Sequence, residues 1–213
     1  NDRGYEVQVT GGYLVTYSSE LIECTESEKA ATAETSWNQI FSKIIGTAFA
    51  GHSELEPNPA AIKAPLAEPL TPPIAQSMGS VSIDAQLYCN VHYLVARSDD
   101  KAQWLPEDLD LYRQTLFLRG SFIAPGTDAS QPFEILSALG NGVVSPLYPD
   151  GEFGNTDAAT VLESTGKGAT VRIQRSIPTL FDQLDFSYMS DEKLARQLLK
   201  NVVDNTRIEI IPD

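Results

Sequence analysis

Histidine and cysteine are scarce in this chain. Its 213 residues hold two of each: His52 and His92, Cys24 and Cys89. Together they could complete one four-ligand site at most, and a zinc knuckle, which sits on a tight turn, does not suit the strand-like stretch that holds Cys89-x-x-His92. Positive charge is scarce too. The chain has 15 basic and 29 acidic residues, a net charge of −14. Such a surface repels phosphate backbones and anionic headgroups, so no nucleic-acid partner is expected. No apolar run reaches the roughly 18 residues of a transmembrane helix. The local signatures of common enzymes are also missing. There is no G-x-S-x-G elbow, no H-E-x-x-H and no dinucleotide fingerprint after a strand. "STGKGAT" carries Lys167 but lacks P-loop spacing and runs into a strand rather than a helix. The expectation is a protein that is not an enzyme. A glycosidase-type carboxylate pair leaves no local signature and escapes this search.

What is present suits one domain over residues 1–213 with a sizeable core. "YEVQVTGGYLVTYSSELIEC" alternates. Val7 and Val9 share a face, Gly11-Gly12 allow a turn or bulge, and Tyr13, Val15 and Tyr17 continue, as two strands or one bulged strand. "VSIDAQLYCNVHYLVAR" is the strongest strand signal. Val81, Ile83, Ala85, Leu87, Cys89, Val91, Tyr93 and Val95 occupy one face, and Ser82, Asp84, Gln86, Tyr88, Asn90 and His92 the other. An apolar face opposite a polar one marks an antiparallel sheet with one side in the core. "TLFLRGSFIA", "QPFEILSA", "KGATVRIQRSI" and "TRIEIIP" read as further strands. "GVVSPLY" reads as an edge strand because of Pro146.

The period changes to helical in "TSWNQIFSKIIGTAFA", where Trp37, Ile40, Phe41, Ile44, Ile45 and Ala48 form a stripe and Trp37 is read as core. A proline-rich excursion over 52–73 follows. "PTLFDQLDF" and "SDEKLARQLLKNVVDN" read as a C-terminal helical pair, the second capped by Ser190 and striped by Leu194, Leu198, Leu199, Val202 and Val203. "WLPEDLDLYR" is a loop or a short helix. The predicted fold is mainly β: an antiparallel β-sandwich, immunoglobulin-like or transthyretin-like, with a helix in the N-terminal half and the C-terminal helical pair.

Cys89 and His92 stand three apart in "YCNVHYLVA". On a strand that spacing sends them to opposite faces, so they are poorly placed to share a metal or to act as nucleophile and base. Cys89 falls on the core face. Two readings stay open for it, a bridge to Cys24 and a pair of inert buried thiols; the expectation is the disulfide, worth roughly 4 kcal/mol for so long a loop. His52 lies near Glu54 and Glu56, and His92 shares a strand face with Asn90 and Asp84. Two histidines from separate segments, with a carboxylate or Met78 as a third ligand, suit copper or zinc. The plainer alternative is two surface histidines in an acidic protein. The acidic turns around Asp150, Glu152, Asn155 and Asp157 lack the EF-hand order and are read as solvated.

"IIGTAFAGHS", the proline-rich excursion, "YCNVHYLVA" and "LPEDLDLYRQTLFLRGSF" occur in an order that resembles uncharacterised bacterial exported proteins, often lipoproteins. The layout is loosely similar to the methanobactin-associated, MbnP-like periplasmic copper-binding proteins, over roughly residues 35–210. The resemblance implies an exported sandwich that handles a metal, with His52 as ligand and His92 second. This chain departs from that group in having only two histidines, and neither Trp37 nor Trp104 adjoins one. "NDRGYE" reads as a frayed polar lead-in of the kind that follows a removed signal or a lipid attachment. The functional expectation is therefore a non-enzymatic exported binding protein of the periplasm or cell surface, handling a transition metal such as copper. The alternative is a cell-surface structural or interaction module binding a protein or glycan, which an exposed aromatic patch at Tyr88 or Tyr148 would favour.

Overall fold

A computed structural model describes residues 1–24, 58–63, 65–83, 87–146, 162–163 and 169–212. The predicted helix around Trp37 lies outside the described residues, as do His52, Tyr148 and the acidic turns at 150–157.

The organising element is β1, a single bulged strand over Glu6–Glu23. At 18 residues it is roughly 60 Å long. Its first part pairs antiparallel with β5 (Leu116–Ile123), from Glu6↔Ile123 to Leu14↔Leu116. Its last part pairs with β4 (Leu87–Val95), from Thr16↔Val95 to Glu23↔Tyr88. The change of partner falls at Val15, whose N–H donates to the Thr115 carbonyl at 2.8 Å while its own carbonyl accepts from Ala96 at 3.3 Å. Two strand pairs that begin at opposite ends of β1 are thus joined along one strand.

The proline-rich excursion becomes ordered sheet edge where it is described. β2 (Ala61–Ile62) pairs with Ser19 and Glu20, and β3 (Leu66–Pro69) pairs with Tyr13 through Thr16. β6 (Ser130–Ser137) borders β5, and β7 (Asn141–Pro146) borders β4, giving the order β6-β5-β1-β4-β7. The strand with Pro146 is therefore at an edge, as its sequence predicts. The two-residue β8 (Leu162–Glu163) adds to β4. β9 (Ala169–Arg175) and β10 (Thr206–Pro212) form a separate two-stranded antiparallel sheet.

Between β9 and β10 the structure corrects the sequence reading. Only the second member of the helical pair is an α-helix, α1 (Asp191–Asp204). The first is a 3₁₀ turn over Pro178–Phe181. The cause is competition for carbonyls that a helix would use itself. Asn201 Nδ2 donates to Leu180 and Asp182, at 2.9 and 2.6 Å. Asn1 Nδ2 donates to Phe181 and Leu184, at 2.8 and 3.0 Å. With those acceptors taken, Asp182 turns extended and Gln183 enters the left-handed region at φ 63°. The same contacts hold the lead-in that reads as frayed, since Asp2 also accepts from the Gln183 amide at 2.7 Å. Ser190 occupies the cap position of α1 without a side-chain cap bond; its carbonyl accepts from Leu194.

Two apolar clusters lie on opposite faces of β1. The larger unites Leu14, Val91, Tyr93, Leu116 and Leu118 with the α1 stripe of Leu194, Leu198, Leu199, Val202 and Val203, and with Ile208. The smaller unites Val15, Ala67, Phe117 and Leu111. Leu111 belongs to the loop of residues 96–115 between β4 and β5, so that loop covers the second face. The middle of β1 is buried on both sides in consequence, with Leu14, Val15 and Thr16 all inaccessible.

Candidate functional site

The residues singled out from the sequence do not converge. Cys24 and Cys89 form the expected disulfide, both buried, beside the Glu23↔Tyr88 pair that ends the β1–β4 ladder. His92 is half-buried on β4, directly across from Glu20 on β1 and Val144 on β7. Glu20 already pairs with Lys63 at 3.7 Å. Among the described residues no three His, Cys, Asp or Glu side chains gather to hold a metal, and His52 lies outside them. Tyr88, offered as part of an exposed patch, is buried at 1% accessibility. The register of β1 against β4 slips between Ile22↔Asn90 and Glu23↔Tyr88, leaving Cys89 as the extra residue, and Tyr88 joins the same apolar cluster as Val91 and Tyr93.

The strongest polar cluster is one the sequence does not announce. Arg175 at the end of β9 reaches Glu68 on β3, Tyr93 on β4 and Thr16 on β1. Its Nη1 donates to Glu68 Oε2 at 2.5 Å, Nη2 to Glu68 Oε1 at 3.1 Å and to Thr16 Oγ1 at 3.0 Å, and Nε to the Tyr93 hydroxyl at 3.1 Å. Thr16 Oγ1 also donates to Glu68. The guanidinium lies 5.3 Å from the Tyr93 ring centre. Burial opposes the Arg175 cation, but Tyr93 and Glu68 outweigh it and raise its pKa. With these donors already engaged, the cluster has little left to offer a ligand. Its role is mechanical: it ties the β9–β10 sheet to three strands of the main one.

Tyr93 gives this clasp a pH limit. Burial raises the phenol above the ordinary tyrosine value of about 10; Arg175 opposes the shift and Glu68 adds to it. Above about pH 10 the unfolded chain releases this proton while the folded chain retains it, so stability falls with rising pH, by at most about 1.4 kcal/mol per unit. Urea midpoints between pH 9 and 11 should show this fall, and Tyr93→Phe should flatten it. An equal slope in the variant would assign the loss to other groups.

The remaining candidate is the loop of residues 96–115. Backbone bonds fix it: Gln103 donates to Pro65 at 2.8 Å and accepts from Ala67 at 3.0 Å, and Ser98 donates to Gln114 at 2.9 Å. The Asp99 and Asp110 carboxylates accept from the Lys101 and Tyr112 amides, at 2.8 and 2.9 Å. On this fixed loop Trp104 is 64% exposed and Tyr112 55%, with Leu105 also exposed. Trp104 takes φ 61° and Arg113 φ 60°. A bulky residue in the left-handed region costs on the order of 1–3 kcal/mol and persists where its surroundings impose it. The fold thus spends stability to present an indole to solvent. The sequence reading found no role for Trp104. Its only signal there is an aromatic in a stretch without period.

Compared with known proteins, the chain matches no family model, no curated protein and no solved structure.

Proposed function

We propose that this chain is a non-enzymatic, exported binding module that contacts its ligand through the loop of residues 96–115. The observation that carries the reading is Trp104: a large apolar ring, mostly exposed, at a strained backbone angle, on a loop held at several points by backbone bonds. Rigid scaffolds place binding residues on such loops, and tryptophan contributes strongly when a partner covers it. Export is supported by the Cys24–Cys89 disulfide, since such bonds persist in oxidising compartments. No helix among the described residues is long and apolar enough to cross a membrane. We read the scaffold as sandwich-like, with α1 and β9–β10 over one face of β1 and the loop of residues 96–115 over the other.

The test is a binding screen of the full chain against immobilised glycans and peptides, repeated with Trp104→Ala. Ligands of the wild-type chain should lose about ten-fold or more in affinity with the variant. If every ligand binds the two proteins equally, the loop is not the contact surface. Copper(II) and zinc(II) belong in the same screen. Saturable metal binding lost in both His52→Ala and His92→Ala would replace the loop reading with the metal-handling one.

A further inference from the structure

We propose that a small cleft beside the β1 bulge binds one ring of a neutral saccharide, with Arg119 and Asp108 hydrogen-bonding its hydroxyls. The proposal rests on the loop reading and adds the ligand's chemistry to it. The register of β1 against β5 slips between Val9 and Gly11, leaving Thr10 as the extra residue. Bulges recur beside binding sites because they redirect side chains. Here the bulge brings Thr10, Tyr13, Thr71, Asp108, Phe117 and Arg119 around an open, mainly polar cleft of about 160 Å³. Asp108 comes from the same loop as Trp104, four residues further on.

Gly11 explains how Arg119 is held there. A Cβ at Gly11 would stand 2.8 Å from Arg119 Nε and 3.3 Å from its Cγ. The arginine lies across the bare backbone, its guanidinium 5.9 Å from the centre of the Phe117 ring. Acidic residues outnumber basic ones 29 to 15 in this chain. Even so, neither Arg119 nor Asp108 is in a salt bridge among the described residues. The cleft therefore offers uncommitted donors from Arg119 and an uncommitted acceptor from Asp108, together with the Thr71 side chain and the Tyr13 ring; the Thr10 hydroxyl donates to the Arg119 carbonyl at 3.3 Å, and Phe117 forms the buried floor.

That combination matches a ring with hydroxyls around its rim and C–H groups on its faces. A phosphate would be repelled by Asp108 and by the net charge. The volume is below the roughly 300 Å³ at which small-molecule pockets begin, so a single ring is held and the rest of a chain would extend beyond the cleft.

The experiment is calorimetric titration of the full chain with neutral oligosaccharides (gluco- and N-acetylglucosamine hexamers), an oligogalacturonate and inorganic phosphate. At least one neutral oligosaccharide should bind saturably, and Arg119→Ala should weaken it about ten-fold or more. Gly11→Val, which displaces Arg119, should do the same, with circular dichroism reporting whether that variant stays folded. Tighter binding of phosphate or oligogalacturonate, no neutral binding at all, or neutral binding indifferent to Arg119→Ala would each overturn the proposal. A peptide ligand lost in Trp104→Ala but unmoved by Arg119→Ala would overturn the saccharide and leave the loop reading standing.

Discussion

Glu68→Ala should lower the stability of this protein by about 3–5 kcal/mol, read as a fall in the urea midpoint. The size follows from what the substitution leaves behind. The Arg175 and Glu68 side chains are only 10% and 17% exposed, and the guanidinium points at the carboxylate. Removing the carboxylate leaves a cation among Tyr93, Thr16 and apolar neighbours with its best acceptor gone. The penalty is that of an orphaned charge and exceeds what the intact pair contributes, because burial has already taken back much of the attraction. Glu68→Met with Arg175→Met should therefore be milder than either single change. Arg196 and Glu192 serve as an internal control. They pair at 2.7 Å along α1 with side chains 62% and 67% exposed, and Arg196→Ala should cost only about 0.3–0.5 kcal/mol. If Glu68→Ala costs no more than that, the clasp is not what holds the β9–β10 sheet in place. Natural domains are stable by about 5–15 kcal/mol, so the expected loss brings the chain close to unfolding.

Replacing both cysteines with serine should cost about 4 kcal/mol. The bridge joins residues 65 apart, and the chain-entropy model gives that figure for a loop of this length. Its position supports the same expectation. Cys24 and Cys89 adjoin the last pair of the β1–β4 ladder, where strands otherwise fray. Both cysteines are no more than 6% exposed, so dithiothreitol should reduce them slowly without denaturant and quickly in urea, followed by thiol labelling. A loss under about 1 kcal/mol in the double variant would mean that the reduced, unfolded chain is already compact.

The elements legible in the sequence are those whose cause is local. Alternation in β1 and β4, a bulge close to Gly11-Gly12 (it falls at Thr10), the stripe of α1 and the edge position of Pro146 follow from side-chain period and backbone chemistry. The 3₁₀ turn was not legible, because its carbonyls are claimed by Asn201 and by Asn1, some 180 residues away. Nor was the clasp, whose four residues come from four strands. Tyr88 misled because the bulge at Cys89 interrupts the alternation and returns Tyr88 to the core side. Trp104 was missed because its signal is a backbone angle, and a backbone angle has no sequence pattern unless glycine marks it.

The change of partner along β1 also bears on how the chain folds. β1 precedes every strand it pairs with: β2, β3, β4 and β5. Its contacts are therefore distant in sequence, a topology that folds slowly. During synthesis its Glu6–Leu14 part stays without the β5 partner until residues up to Ile123 have been made. An open strand of this length is a template for pairing with other chains. β1 is thus the segment most in need of a chaperone, and the one from which aggregation of a destabilised variant should start.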